Sequence, residues 1–291
     1  MPIVEIPTNS LDEFWDYLSP IGSFISNMQN PIFRGQGNSE WSLTPSVLRS
    51  EILAKYKHEH RVYNQIDQIV FFEYFQLLDF LHYSDEMGLN IPNDSPEFRN
   101  HMDFSVFTDR YGIDAVGWPS QEYFSFIALA QHHGIPTRLL DWTQSPFVAA
   151  YFSASQALNL EKISEQLVVW LINSEDLRRL EGKLEYVQLA GSTSKNLAAQ
   201  KGVFLIHRQQ NRMNRNSPFS SEELKDSVNK LFEESEDFTT YKITLPSNLA
   251  GDLLFRCNKF GVSAATLFPG FDGAAKAALE YKMAKKLSGV L

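Results

Sequence analysis

Residues 126–153 read FIALAQHHGIPTRLLDWTQSPFVAAYFS, and the rest of the predicted fold is organised around this stretch. Apolar residues recur at helical spacing near both of its ends, which predicts two helices. Gly134 and Pro136 end the first helix, and a Ser-Pro pair opens the second. An ordinary helix connection is short and polar, whereas this one alternates Ile and Leu with charged and ring-bearing side chains. We therefore interpret residues 134–146 as a functional site with a buried backbone.

Composition sets limits on the class of protein. The chain has 291 residues, of which 43% are hydrophobic and 21% charged, as is typical of a soluble globular protein with a substantial core. A net charge of −9 argues against bulk binding to nucleic acid, although a local basic groove stays open. A single cysteine, Cys257, cannot form an internal disulfide, which indicates a reducing compartment and excludes a cysteine-based zinc site.

Domain organisation and location follow from what the chain lacks. No basic start with an apolar run opens it, and no apolar run approaches the roughly 20 residues of a membrane span. We expect a cytoplasmic protein without a membrane partner. No repeat or Gly/Ser/Pro-rich linker divides the chain, so we predict one α+β domain over residues 1–291. Its N-terminal helices pack on a mixed β-sheet core, and residues 1–30 form an N-terminal strand and helix.

Local patterns predict the individual elements. Strands are expected at residues 3–6, 31–34, 41–43, 166–173, 202–208, 239–246 and 262–268. Helices are expected at residues 11–18, 58–86, 174–182, 220–237, 247–261 and 273–287, with a surface loop at 88–99. Ser10, followed three residues later by Glu13, predicts a capping box on the first helix.

The segment Phe33-Arg-Gly-Gln-Gly places Arg34 at the end of a strand, directly before Gly35. Arginine offers a rigid fork of donors that suits a phosphate or a carboxylate. A glycine beside it lets a ligand approach the backbone. A structural arginine paired with a core carboxylate such as Asp141 accounts for the pattern equally well. Both interpretations stay open.

The two adjacent histidines, His132 and His133, are candidates for a general base or a metal ligand. The other five histidines are scattered and no HExxH motif is present, so we expect no metal. On helical geometry one of the pair should face the core, neutral and hydrogen-bonded.

The connection itself carries Thr137, Arg138, Asp141, Trp142 and Thr143. Asp141 can orient a histidine or Arg138, and Trp142 can stack on a flat ring. A buried pair between Arg138 and Asp141 that only holds the connection together is the alternative. The two roles are compatible, because a site needs supporting contacts. No GxSxG elbow, P-loop or dinucleotide fingerprint is present, so those enzyme classes are set aside.

Four ordered segments, FRGQGNSEWSLTPSVLR, LAQHHGIPTRLLDWTQSPFVAAYFS, LAAQKGVFLIHR and LFPGFDGAAKA, resemble the FRG domain family of bacterial proteins. The family is named for the triplet that stands here at residues 33–35, and the resemblance runs over residues 31–286. It implies a toxin-like or phage-defence role. Such a setting also allows for an operon-encoded regulator.

A weaker similarity is to ADP-ribosyltransferase-like folds. In those enzymes an Arg-Gly or a His on a first strand grips NAD, and a second strand ends in Ser-Thr-Ser before a helix of cadence P-x-x-A-x-x-F. Arg34-Gly35 resembles the first motif, and LLDWTQSPFVAAYF at residues 139–152 resembles the second. The resemblance implies that NAD is bound, as a substrate, by a set of six residues. They are Arg34, Gly35, Thr137, Arg138, Trp142 and Thr143.

The third motif of such transferases is a glutamate just before an apolar strand. Here Gln200 precedes the predicted strand, and no glutamate is present. A glutamine cannot stabilise a developing oxocarbenium charge as a carboxylate does. Either another acid does so, with Asp141 the first choice and His132, His133 and Gln200 the further catalytic candidates, or a nucleotide-like ligand is bound without transfer.

Three functions are therefore expected as alternatives. The first is transfer of ADP-ribose from NAD to a protein or nucleic-acid acceptor. The second is a metal-independent RNA-cleaving defence enzyme that uses His132, His133 and Arg138. The third is a non-catalytic ligand-sensing or interaction module, in which the same motifs hold the fold.

Overall fold

The computed structural model describes residues 3–56, 68–112, 115–177, 184–191, 195–208, 221–234 and 237–289. The strands are β1 Val4–Pro7, β2 Pro31–Gln36, β3 Leu139–Thr143, β4 Gln166–Asn173, β5 Leu184–Val187, β6 Gly202–His207 and β7 Tyr241–Pro246. The helices are α1 Leu11–Leu18, α2 Ser50–Tyr56, α3 Gln68–Glu86, α4 Pro96–His101, α5 Phe104–Tyr111, α6 Phe124–His132, α7 Pro146–Asn159, α8 Lys195–Ala199, α9 Ser221–Glu234, α10 Ala250–Lys259, α11 Ala264–Leu267 and α12 Phe271–Ser288.

The described strands form one mixed sheet of seven strands in the order β1-β7-β4-β2-β3-β6-β5, which confirms the mixed α and β composition. β1 runs parallel to β7, and the other neighbours are antiparallel. β2 pairs with β4 along the whole length of β2, and β3 pairs with β6 along the whole length of β3. β2 and β3 share only the pair Phe33 and Thr143. The sheet thus consists of two blocks, β1-β7-β4-β2 and β3-β6-β5, that are joined at this one pair. Beside that pair, β2 and β3 are separated by a gap.

Helix α7 fixes the position of β2. A Cβ atom on Gly35 would lie 1.9 Å from the carbonyl oxygen of Ala149, and one on Gly37 would lie 2.4 Å from the backbone nitrogen of Ala157. Contacts that short are not tolerated, so glycine is required where the helix backbone crosses the strand. Helix packing therefore requires glycine at this position. Gly35 also lines the cavity between β2 and β3, so its contact with a ligand stays a prediction.

Hydrophobic clusters cover both faces of the sheet. One contains α7, α10 and α12 against β2, β4 and β7, and a second contains α3 to α6 against β3, β5 and β6. The third lies on the opposite face, where Leu140 and Trp142 pack among Val168, Trp170 and Val203. This arrangement places side chains of odd and even number in β3 on opposite sides of the sheet.

Most predicted elements are present, but three assignments differ from the structure. The predicted strand at 262–268 instead contains helix α11, because Ser263 and Thr266 make a reciprocal capping box that starts a helix there. Residues 41–43 are not a strand. Helix α4 begins inside the predicted loop at 88–99, with Ser95 as its N-cap.

The connection at 134–146 is not a plain loop, since it contains strand β3, which lies inside the sheet beside the central strand β2. The N-cap role of Ser10 is confirmed by the bond from the Glu13 amide to its hydroxyl, although the Glu13 side chain accepts from Asn9. Parts of the predicted helices at 58–86 and 174–182 lie outside the described residues. Within the described chain, no helix combines the length and the apolar character needed to cross a membrane.

Candidate functional site

A cavity of about 280 Å³ opens where the two blocks of the sheet meet. β2, β3 and β6 form its floor, and α6, α7 and α8 contribute its walls, together with the chain between α11 and α12. The polar lining residues are Arg34, Gln131, His132, Asp141, Thr143, Gln156 and Gln200. The apolar lining includes Phe33, Phe152, Leu197, Phe204 and Phe268. Arg34, Asp141 and Gln200, which were predicted from three separate parts of the chain, thus line the same cavity.

Arg34 lies in the gap between β2 and β3. Its Nη1 donates to the carbonyl oxygen of Asp141 at 2.5 Å, so a side chain bridges the strands where backbone pairing stops. The Asp141 carboxylate is 3.9 Å from the same nitrogen, which is a weak ion pair. The Arg34 side chain is 12% exposed, and its buried Nε has no hydrogen-bond partner within the described residues. Burial lowers the pKa of Arg34 from 12.5 to about 10, against the opposing effect of Asp141.

These contacts leave the Arg34 guanidinium short of partners. A buried cation without full hydrogen bonding is unfavourable unless a ligand or a paired group completes it. Since Arg34 lines the cavity, an anionic group that enters there is the ligand its geometry suits.

Asp141 projects from β3 toward the cavity. Its side chain is 64% exposed, in contrast to its neighbours Leu140 and Trp142, which are buried on the other face. Its Oδ1 accepts from Nε2 of Gln131 at 2.5 Å. One carboxylate oxygen is therefore held by the protein, while Oδ2 faces Arg34.

His132 lines the cavity and His133 does not. Both are exposed, so the expectation that one of them faces the core is wrong. Nε2 of His132 lies 2.7 Å from Nδ2 of Asn196; an amide NH₂ can only donate, which assigns Nε2 as the acceptor. Partial burial, followed by the neighbouring His133, lowers the pKa of His132 and favours the neutral ring at pH 7. The His133 ring instead packs against Phe80, with ring centroids 6.2 Å apart.

Thr143 and Gln200 join β3 to the chain before β6. The Thr143 hydroxyl donates to the carbonyl oxygen of Gln200 at 2.7 Å, and it accepts from the Ser145 amide at 3.0 Å. Gln200 Nε2 donates to the carbonyl oxygen of Leu267 at 3.2 Å, which holds the rim formed by the α11–α12 connection. Both residues line the cavity and also shape it.

Trp142 lines the cavity, but its ring is already packed elsewhere, which speaks against stacking on a ligand. The ring lies in the hydrophobic cluster on the opposite face, 3% exposed, and stacks on Phe232 with centroids 6.4 Å apart. The physical reason is the alternation of a strand, which sends Trp142 away from the side that Asp141 faces. Phe152 and Phe268, 6.2 Å apart and edge to face, are the aromatic pair that lines the cavity.

Arg138 is also outside the cavity, which contradicts its prediction as a ligand-binding residue. It is 3% exposed and pairs with Glu73 of α3, with Nε to Oε2 at 2.8 Å and a second contact from Nη2. Its Nη1 reaches the carbonyl oxygens of Trp118 and His207. The partner is thus Glu73, and the alternative pair between Arg138 and Asp141 is wrong as well.

Thr137 is buried and supports the cavity through its contact with the lining residue Gln131. Its amide donates to the Ser46 hydroxyl at 3.0 Å, and its carbonyl accepts from that hydroxyl and from the Val47 amide, each at 3.1 Å. Its own hydroxyl donates to Oε1 of Gln131. Thr137 therefore does not contact the cavity but anchors the chain that enters β3.

Sequence reasoning missed Gln131, Gln156, Phe152 and Phe268 as lining residues. Gln131 and Phe152 lie inside the stretch of residues 126–153, on the helices that flank the connection. Extending the site by one helical turn before the connection and by two turns after it would have included both. Phe268 lies more than a hundred residues away, and its position depends on the packing of α11 and α12. Among the described residues, no three His, Cys, Asp or Glu side chains lie close enough to hold a metal ion.

Comparison with protein families identifies an FRG domain at residues 87–162. The match runs from the end of α3 to just beyond α7, so it includes Gln131, His132 and Asp141 of the cavity. Arg34 and Gln200 lie outside it. No curated protein and no solved structure matches the chain.

Proposed function

We propose that this protein binds NAD in the cavity between β2 and β3 and transfers its ADP-ribose group to an acceptor. The observation that carries the proposal is the meeting of Arg34, Asp141 and Gln200 at one hollow. These residues come from the three segments whose order resembles the transferase motifs.

Arg34 is the group that would hold the pyrophosphate. The pyrophosphate of NAD carries two negative charges on oxygens that accept hydrogen bonds. A guanidinium that is largely buried, charged and short of partners gains most from such a ligand, because the hydrogen bonds form while the only ion pair in its way is the weak contact with Asp141 at 3.9 Å. The exposed Asp141 carboxylate beside it would face the ribose.

Asp141 is our candidate for the role that a glutamate plays in the transferases. Cleavage breaks the bond between the ribose C1′ and the nicotinamide nitrogen, and positive charge develops on the ribose as nicotinamide leaves with the bonding electrons. A carboxylate beside that ribose stabilises the charge. The acceptor then bonds to C1′ and releases its proton to solvent or to a nearby base. Gln200 contributes a neutral amide to the rim and no charge.

The flat nicotinamide ring fits the apolar side of the cavity. Phe152 and Phe268 offer an aromatic corner there, with Phe204 and Leu197 beside it. The volume of about 280 Å³ is at the small end of ligand cavities. It suits the nicotinamide half of NAD, and the adenosine half would lie across the more open surface.

The FRG domain supports a setting for this activity. From that resemblance we propose a cytoplasmic effector of phage defence, held in check by an operon-encoded regulator and acting on a protein or nucleic-acid acceptor.

The RNA-cleaving alternative finds less support, because His133 and Arg138 lie outside the cavity that His132 lines. The non-catalytic alternative agrees with the supporting roles of Arg138, Thr137 and Gly35. It predicts that the wild type turns over no nucleotide and that Arg34→Ala and Asp141→Asn unfold the protein.

The direct test incubates the purified protein with NAD labelled on the adenylate phosphate, with and without cell lysate. We expect label on a protein or nucleic-acid acceptor, and loss of about 100-fold or more of the rate in Asp141→Asn. Arg34→Gln should lose a comparable amount. Arg110→Gln, which removes an exposed arginine far from the cavity, is the matched control and should retain the wild-type rate. Absence of both label transfer and NAD cleavage in the wild type would reject the proposal.

A further inference from the structure

Gln131 links a buried threonine to the exposed carboxylate of the cavity. It is the penultimate residue of α6, and its side chain lies between Thr137 and Asp141. The Thr137 hydroxyl donates to its Oε1, and its Nε2 donates to Oδ1 of Asp141 at 2.5 Å. The three side chains thus form a chain of hydrogen bonds that ends at the cavity.

The direction of this chain is fixed by the Asp141 carboxylate. An ionised carboxylate can only accept, so the NH₂ group of Gln131 must face it and Oε1 must face Thr137. The Leu139 amide donates to the Thr137 hydroxyl oxygen at 3.1 Å, and the single hydroxyl proton is free to point at Oε1 of Gln131. A flipped amide would place two acceptors together at the Asp141 end.

Asp141 needs such a constraint. At 64% exposure its carboxylate is not confined by packing, and Arg34 at 3.9 Å does not make a close ion pair with it. The bond from Gln131 removes rotational freedom from one oxygen and directs the other toward Arg34 and the cavity. Catalytic groups depend on such support, since small misplacements are costly to the rate.

We propose that Gln131 is a positioning residue that holds the Asp141 carboxylate in its productive orientation, with the Thr137 hydroxyl anchoring the other end of the Gln131 amide. The inference rests on the proposed function for its catalytic consequence. The contact itself can be tested without any turnover.

The first test exchanges the hydrogen-bonding roles of the two residues. Gln131→Glu places a second carboxylate against Asp141, and the like charges should lower the melting temperature at pH 8 by about 2 °C relative to the wild type. At pH 5 a shared proton should remove most of that difference. The double variant Gln131→Glu with Asp141→Asn should restore the melting temperature at pH 8, because the new amide donates to the new carboxylate.

One control variant and one constant feature of all the variants make that test specific to the contact between Gln131 and Asp141. Gln29→Glu makes the same substitution at an exposed position away from the cavity and should leave the melting temperature unchanged. Arg34 and His132 are the other charged or titratable groups that face Asp141, and every variant retains them. If Gln131→Glu is as stable as the wild type at pH 8, or if the double variant does not recover, the positioning contact is rejected.

The second test measures NAD cleavage by the same proteins. Gln131→Leu should lower kcat by about 100-fold, with KM changed far less, at every pH. Gln131→Glu should be impaired at pH 8 and recover at pH 5, whereas the double variant should stay inactive because it lacks the carboxylate. Wild-type kcat and pH profile in Gln131→Leu would overturn the proposal. If the wild type cleaves no NAD, the proposed function fails and the melting-temperature comparison still decides the contact.

Discussion

Two buried arginines lie close to the central strands and differ in what surrounds them. Arg138 is saturated with hydrogen bonds. Its Nε and Nη2 donate to the carboxylate of Glu73, and its Nη1 donates to two backbone carbonyl oxygens. Arg34 has one close partner, the carbonyl oxygen of Asp141, and a buried Nε without one in the described part of the chain. Both side chains are almost hidden from solvent.

This difference in hydrogen bonding indicates a structural role for Arg138 and a ligand-binding role for Arg34. A saturated pair such as Arg138 and Glu73 ties α3 to β3 and leaves no donor for a ligand. An arginine with donors to spare, at the edge of a cavity, holds the fold less well but is ready to bind an anion. The contrast predicts that substitutions at the two positions separate stability from ligand binding.

The largest effect on stability is expected at the saturated pair. Glu73→Gln leaves Arg138 charged, buried and unpaired, which should lower the free energy of unfolding by about 3–5 kcal/mol. Urea denaturation followed by circular dichroism measures it. Glu86→Gln, the same substitution at an exposed position of α3, is the control and should change the value by less than about 0.5 kcal/mol. A loss below about 1 kcal/mol in Glu73→Gln would remove the basis of the comparison.

Acid should lower the free energy of unfolding through His207, which lies beside Arg138. Burial, together with the adjacent Arg138, lowers the pKa of His207 from 6.5 to about 4. The unfolded chain therefore binds a proton below pH 6.5 while the native state resists it until about pH 4, so stability falls as the pH falls through that window. The full contribution is on the order of 3 kcal/mol.

Unfolding free energies at pH 7.5 and pH 4.5 in wild type and His207→Gln isolate this effect. The pH dependence should be smaller in the variant, because the native and unfolded states then bind equal numbers of protons at that position. Equal pH dependence in both proteins would assign the acid sensitivity to other groups.

Packing of β2 beneath α7 should be sensitive to a single methyl group. Gly35→Ala forces a carbon against the Ala149 carbonyl and should cost about 1–3 kcal/mol, by pushing the strand away from the helix. At Gly191 an added Cβ would make only an ordinary contact, 3.4 Å from the Ala198 Cβ, so Gly191→Ala should be nearly neutral. Equal stability of the two variants would show that α7 does not constrain β2.

The smallest change in stability is expected at Arg34. Arg34→Gln loses one bond to a carbonyl oxygen but also removes a buried charge with an unpaired Nε, so the net change should be under about 1 kcal/mol. Chemical denaturation beside Arg138→Gln, which should lose several times more, sharpens the contrast. A loss at Arg34 as large as that at Arg138 would mean that both arginines are structural.

The resemblance to the transferase motifs predicted the meeting of Arg34, Asp141 and Gln200, since each stands in one of the three ordered segments. Local patterns did not predict that residues 139–143 form a strand, because five residues between the break at Gly134 and Pro136 and a Ser-Pro helix start look like a connection; only the resemblance to the second transferase motif implied one. Once the strand is known, its alternation explains why the Asp141 side chain faces the cavity and the Trp142 ring does not. The pairing of Arg138 with Glu73 joins residues 65 positions apart and has no local signal.

If Arg34 is a cation placed to bind an anionic ligand, calorimetric titration should detect NAD binding that depends on it. We expect binding to the wild type and to Arg110→Gln with the same affinity. Binding to folded Arg34→Gln should be weaker by at least about tenfold, as expected for the loss of a charge-assisted hydrogen bond. No heat of binding in the wild type, or equal affinity in all three proteins, would contradict it.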